Sequence, residues 1–266
     1  YTSFNANMAL NEAFLPSATV RDNVVNIAKL LNYVPTSITA SKSCLYLSIQ
    51  TTQVNGAYPT SVTLSKGAVA TGGNYIWNIL SDITVSVNQT TGIATFDNVT
   101  IYEGNLVTFS YVVNTFGKQT YKIPSEDADI STLSVKVRPN ESSTQFDLYS
   151  RAITVSTVTP TTRAYFLSET EDMRYEIRFG RSVKDGEVID LEYLVTSGTE
   201  ANEIARFNFI GKISDNLGQS YSSTIVDLTV KEKSQQGAAA ESVESIKYYA
   251  PRYYSAQYRA VTAQDY

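Results

Sequence analysis

The stretch Leu133-Ser134-Val135-Lys136-Val137-Arg138-Pro139 alternates apolar and polar side chains and stops at a proline. A period of two puts Leu133, Val135 and Val137 on one face of an extended chain and Ser134, Lys136 and Arg138 on the other, which reads as a strand with one solvated face. Working outward, residues 83–87, 106–113, 175–179, 188–195 and 225–230 carry the same β-branched and aromatic character. Turn signals separate them, among them Asn55-Gly56, Thr91-Gly92, Phe116-Gly117, Asp185-Gly186 and Leu217-Gly218. Gly72-Gly73, followed by Asn74-Tyr75-Ile76-Trp77, reads as a hairpin tip rather than a phosphate loop, since no Gly-Lys-Ser/Thr follows. Strands this short and turns this frequent predict antiparallel sandwiches rather than βαβ units.

The ends of the chain have a different period. Residues 5–15 lack glycine and carry Met8, Ala9, Leu10, Ala13 and Phe14 before Pro16, a first helix. Val20, Val24, Ile27 and Leu31 form one helical stripe, and Thr19 with Asp22 resembles a capping box that would start it. Past the polar run 231–240, a short helix over residues 242–249 is expected, with Pro251 as its stop. Thr262 with Asp265 looks like a further helix start, so the chain reads as part of a longer one. The expected organisation is a helical entry segment (1–38), a first β domain (39–118), a second (119–235) and a helical C-terminal segment (236–266). The fold class is mainly β with helical ends, that is, antiparallel β-sandwich domains flanked by short helices.

Composition narrows the function. There is no histidine, which removes the usual neutral-pH base and the commonest metal ligand, so no Ser-His-Asp triad or His-liganded zinc site can be built. The one cysteine, Cys44, lies in an apolar run and reads as a buried strand thiol. A net charge of −5 gives no reason to expect nucleic acid or an anionic membrane, and no apolar run has the length of a transmembrane helix. Three Asn-x-Ser/Thr sequons, at Asn88, Asn98 and Asn140, arise easily in a chain this rich in Asn, Ser and Thr. Two acidic clusters, Glu126/Asp127/Asp129 and Glu169/Glu171/Asp172, read as solvated turns. Neither has calcium-loop spacing nor a sign of the burial that a catalytic carboxylate pair requires. No catalytic residue, metal or cofactor is expected.

Residues 246–266 stand apart. They hold Tyr248, Tyr249, Tyr253, Tyr254, Tyr258 and Tyr266 with Arg252 and Arg259. Tyr and Arg combine large contact area with directional polar groups and are enriched where proteins bind one another. Either these rings pack back on the parent domain or they face a partner, and the second reading is preferred. The candidate interface or hinge is therefore Tyr249, Pro251, Arg252, Tyr253, Tyr254, Tyr258, Arg259, Thr262 and Asp265.

Five ordered segments carry a resemblance. They are Ala9 to Asn23 continuing to Leu31-Asn32-Tyr33, Tyr121-Lys122-Ile123-Pro124 leading to Ser131-Thr132-Leu133, Tyr165-Phe166-Leu167-Ser168-Glu169, Tyr175-Glu176-Ile177-Arg178-Phe179-Gly180, and Ala250-Pro251-Arg252 through Arg259 to Tyr266. Together they resemble the baseplate J-like family, wedge subunits of contractile phage tails and related injection machines. The turn from Arg181 to Gly186 is longer and more basic than in many relatives, and residues 39–117 carry no family signature. The resemblance implies a non-enzymatic virion protein of the tail baseplate, assembled in the host cytoplasm. Its partners would be other copies of itself, other wedge proteins and the sheath initiator, with no nucleic acid, membrane or small-molecule substrate. The alternative reading is a β-sandwich adhesion or carbohydrate-binding module, which the Thr/Ser/Asn-rich strands and exposed loops also fit.

Overall fold

A computed structural model describes residues 8–114, 116–117, 119–153, 158–159, 161–180 and 183–256. The chain is mainly β with helices at its ends. Helix α1 (Arg21–Leu30) precedes strands β1 (Lys42–Gln50), β2 (Ser61–Leu64), β3 (Gly67–Gly72), β4 (Tyr75–Ile79), β5 (Ile83–Ser86) and β6 (Ile93–Glu103). Next come β7 (Asn105–Val112), β8 (Tyr121–Lys122), β9 (Ala128–Arg138), β10 (Asp147–Arg151), β11 (Ala164–Glu169), β12 (Tyr175–Phe179) and β13 (Val188–Val195). The chain closes with β14 (Asn208–Phe209), β15 (Ile213–Asp215), β16 (Ser220–Tyr221), β17 (Val226–Gln235) and helix α2 (Val243–Ala256).

Two β bodies result. In the first, a six-stranded sheet ordered β14-β3-β4-β6-β1-β17 and a four-stranded sheet ordered β16-β15-β2-β5 share one core around Trp77, Phe96, Leu45, Leu47, Ile49 and Leu64. β1 shows why these residues fold as they do. Its period of two sends Leu45, Leu47 and Ile49 inward, and Trp77 meets Phe207 edge-on with 5.0 Å between ring centres. The same alternation puts Cys44 on the outer face, half-buried beside Asn98, rather than in the core as its apolar neighbours implied. The second body is one seven-stranded sheet ordered β7-β13-β9-β10-β11-β12-β8. It curls around Tyr193, Tyr149, Tyr175, Ile177 and Ile189 until Tyr111 of β7 meets Tyr121 of β8, 5.5 Å apart. Pairing is antiparallel throughout except between β10 and β11, which run parallel.

The division of the β region departs from the sequence expectation. The break falls at Gly104 instead of near residue 118, because β7 pairs with β13. Residues 208–235 do not continue the second body. They return to the first, where β17 lies along β1 from Lys42↔Gln235 to Ile49↔Val226. The second body is thus inserted into the first. The presumed linker also begins later, since β17 runs through Lys231 to Gln235. Alternation and turn residues mark where strands lie, but the same signals serve either neighbour, so pairing over long separations is invisible to them.

The two crossings between bodies meet at one buried polar joint. Glu103, the last residue of β6, accepts from Thr196 Oγ1 (2.5 Å) and from the Ser197 amide, and Thr196 and Ser197 are where the chain returns after β13. Gly104 adopts φ +129°, and a Cβ there would lie 2.6 Å from the Val195 carbonyl, so glycine is required. Asn78 donates to the Gly104 carbonyl at 2.6 Å, and buried Asp129 accepts from the Ala40 amide at 2.8 Å. Glu103→Ala leaves the buried Thr196 hydroxyl proton and the Ser197 amide without an acceptor, so it is expected to lower the unfolding free energy by about 3 kcal/mol, while Glu103→Gln, which keeps an acceptor, costs about half that. Thermal and denaturant unfolding of the two variants measure the difference.

Candidate interface at the helical end

The two ends of the chain build one helical layer. Leu15, Ala18, Val24, Val25 and Ala28 of the entry segment bury against Ile246 and Ala250 of α2. On α2 the inward positions are Val243, Ile246, Ala250 and Tyr253, spaced three, four and three residues apart as one helix face requires.

α1 starts at Arg21 with Val20 as its N-cap, and no side chain of its own caps it, so the expected Thr19/Asp22 box does not form. Glu12 takes that role from the preceding turn. Its carboxylate accepts from the Thr19 amide (2.9 Å) and hydroxyl (2.6 Å), from the Val20 amide (3.2 Å) and from Asn23 (3.0 Å). The hydrogen bonds from the Thr19 and Asn23 side chains lower its pKa from 4.5 to about 2. An acid held below its ordinary value stabilises the fold above that value and loses the contribution as pH falls through the lowered one. The melting temperature is therefore expected to fall more steeply between pH 4.5 and pH 2 in the wild type than in Glu12→Gln, a difference that circular dichroism along a pH series reads directly.

A buried ion pair fastens this layer to the second body. Arg21 Nε and Nη2 meet the two oxygens of Glu169 at 2.8 and 3.1 Å, a two-pronged contact, and Arg21 Nη1 donates to the Glu241 carbonyl. Burial raises the Glu169 pKa, and the Arg21 guanidinium opposes that rise. Tyr33 Oη donates to the Glu241 carboxylate at 2.8 Å, its ring meets Tyr253 edge-on at 5.6 Å, and Tyr175 Oη reaches the Pro35 carbonyl at 3.0 Å. Arg21, Glu169 and Glu241 thereby tie α1, β11 and the approach to α2 at one point. Arg21→Ala strands a buried carboxylate and is expected to cost about 3 kcal/mol, whereas Arg21→Met combined with Glu169→Leu restores most of that. Differential scanning calorimetry of both variants distinguishes the two.

The two acidic clusters are corrected by these contacts. Asp129 and Glu169 are fully buried, not solvated, while Glu126, Asp127 and Asp172 lie in the open. Each buried carboxylate is satisfied structurally, Glu169 by Arg21 and Asp129 by Ala40, Ser131 and the Ser131 hydroxyl. Among the described residues, no three acidic or cysteine side chains converge as metal ligands do, and no helix is long and apolar enough to cross a membrane.

Pro251 does not end the C-terminal helix, as the sequence implied. α2 runs through it to Ala256. Proline removes one backbone donor and crowds the carbonyl a turn earlier, at about 3 kcal/mol. Here Ile246 and Ala250 before it and Tyr253 after it hold the helix on its packed face, and Arg252 Nη1 donates to the Tyr248 carbonyl at 2.7 Å. The rings divide between the two readings of the sequence. Tyr253 packs back on Tyr33. Tyr248, Tyr249 and Tyr254 are exposed, and Arg252 stacks on the Tyr248 ring with 3.4 Å to its centre. Tyr258, Arg259, Thr262 and Asp265 lie outside the described residues. Between the end of α1 and strands β11 and β12 a groove of about 340 Å³ opens, lined by Lys29, Tyr33, Phe166 and Arg178. Sequence reasoning missed Arg21, Glu12 and Glu241. Their partners are distant or unmarked in the sequence, so no local signal announced them.

Fold and surface together define a mainly β protein with an inserted second β body and a helical layer that exposes tyrosine and arginine. No protein-family model matches the chain, and no curated protein matches it.

Proposed function

We propose that this protein is a structural subunit of a contractile-tail baseplate wedge, contributing to the inner ring around the hub and joining wedge partners during assembly and switching. The observation that carries the reading is the exposed Tyr248, Tyr249, Arg252 and Tyr254 surface on a helix whose opposite face is packed against the entry segment and α1. Exposed aromatic and arginine side chains on a rigid element lose little freedom on docking, which makes them effective contact residues. The five ordered segments resembling the baseplate J-like family support the same reading and supply its specific form. A ring of this kind follows from one heterologous contact repeated by rotation, and a switching ring needs contacts with two packings of similar energy.

A carbohydrate-binding role is less favoured. A groove of about 440 Å³ beside the exposed Phe146 ring has Lys136 already placed over that ring at 5.1 Å.

Electron microscopy of the chain mixed with neighbouring wedge proteins tests the proposal, which requires wedge or ring complexes to form. Tyr249→Ala with Tyr254→Ala is expected to leave the isolated chain's stability within about 0.5 kcal/mol, since both side chains are exposed, yet to weaken assembly by about 2 kcal/mol. Tyr253→Ala is expected to do the reverse and lower the melting temperature of the isolated chain. Intact assembly by the double variant would remove the helical surface from the interface.

A further inference from the structure

The groove of about 340 Å³ at the end of α1 continues past Phe166. A second recess of about 170 Å³ adjoins it, and Tyr33, Val34, Phe166 and Leu167 line both. These four residues give the joined groove an apolar middle, and its two ends are charged. Lys29, Arg178 and Glu176 line the wider end, and Arg151 lines the narrower one. Three cations therefore face one acid, in a chain whose net charge is −5. β10, β11 and β12 lie side by side, with Arg151 across from Tyr165 and Phe166 across from Arg178. Two strand spacings separate the backbones of the two arginines, about 10 Å, which is the length of roughly three extended residues.

The positive charge is available at both ends. Among the described residues the side chains of Lys29 and Arg151 make no hydrogen bond or ion pair. Lys29 is felt at Glu169, but Arg21 already holds that carboxylate. Glu176 is buried, and its Oε1 accepts from Arg178 Nη2 at 2.7 Å and from Ser168 Oγ at 3.1 Å. Arg178 gives that contact one of its five N–H groups. The walls are also fixed in place. The Arg21–Glu169 pair and the bond from Tyr175 to the Pro35 carbonyl fasten α1 and the chain after it to the second body, and Glu241 holds the Tyr33 hydroxyl. A preformed groove needs little ordering when a ligand enters.

We infer that this groove binds an extended acidic segment of a partner protein, in which one aromatic side chain is flanked by carboxylates. Alternate residues of an extended chain share a face, so a Glu-x-Phe-x-Glu pattern sets its ring on the apolar middle and one carboxylate toward each cationic end. Arginine suits a carboxylate because its fork makes two parallel hydrogen bonds. A nucleotide matches the groove less well, since its charge lies at one end, and a long polyanion is repelled by the acidic chain as a whole. The groove is independent of the wedge reading, because the exposed Tyr248, Tyr249 and Tyr254 line neither recess.

Titration of the nitrogen-15-labelled full chain with acetyl-Glu-Ser-Phe-Ser-Glu-amide, followed by amide chemical shifts, tests it. Saturable shifts are expected at residues 32–34 and 166–168, with affinity falling as salt is raised. The same peptide with glutamine in place of both glutamates is expected to bind at least tenfold more weakly. Lys29→Gln with Arg151→Gln is expected to weaken binding at least tenfold while the melting temperature stays close to wild type, and each single variant, expected to weaken it less, guards against the pair failing to fold. Lys233→Gln, on the first β body, is expected to leave binding unchanged. Shifts that do not saturate at the highest soluble peptide concentration, or that fall elsewhere on the chain, overturn the inference. Equal binding of the glutamine peptide, or undiminished binding by the Lys29 and Arg151 variants, overturns it too. Tighter binding of ATP or of an oligothymidylate than of the peptide overturns it in favour of a phosphate ligand.

Discussion

Everything in this architecture passes through the carboxylate of Glu103. The chain leaves the first β body at that residue, builds the seven strands of the second, and returns at Thr196 and Ser197, the groups that Glu103 accepts from. A buried carboxylate is tolerable only when its oxygens are satisfied, and here the groups that satisfy it are the two ends of the insertion. The clasp fixes the point at which both crossings occur. That leaves β1 free to take β6 on one side and β17 on the other. Gly104 allows the sharp passage because no side chain fits between it and the Val195 carbonyl.

The helical layer repeats the same logic at larger range. α1 and α2 lie more than two hundred residues apart in sequence, and neither could bury its apolar face alone. Packed together they bury Val24, Val25, Ala28, Ile246 and Ala250, and Arg21 carries the layer onto β11 through Glu169. The exposed tyrosines of α2 therefore stand on a support held from both ends of the chain. Rigidity of this kind is what lets an exposed aromatic surface bind without a large ordering cost. Glu12 adds a local version, in which a carboxylate from one turn supplies acceptors to amides at the start of the next helix.

Part of the candidate site was legible in the sequence and part was not. The clustering of tyrosine and arginine near the C-terminus pointed to α2, and the stripe Val20, Val24, Ile27 and Leu31 anticipated α1, although Val20 itself is exposed. Which rings would pack inward was not legible, because Pro251 read as a stop and hid the phase of the helix beyond it. Asp129 and Glu169 looked solvated because their neighbours in sequence are polar. Their burial depends on Ala40 and Arg21, residues 89 and 148 positions away.

By itself the sequence determined the local periods. A period of two specified β5, β7, β9, β12, β13 and β17, a period near 3.6 specified the terminal helices, and the absence of histidine limited the available chemistry. Only the tertiary structure decided which strands pair, where one β body interrupts the other, which carboxylates are buried and which tyrosines face outward. The physical reason is that periodicity records only whether one side of a segment is apolar. The partner that covers that side is chosen by packing and hydrogen bonding over long separations, as Glu103 with Thr196 and Arg21 with Glu169 both show.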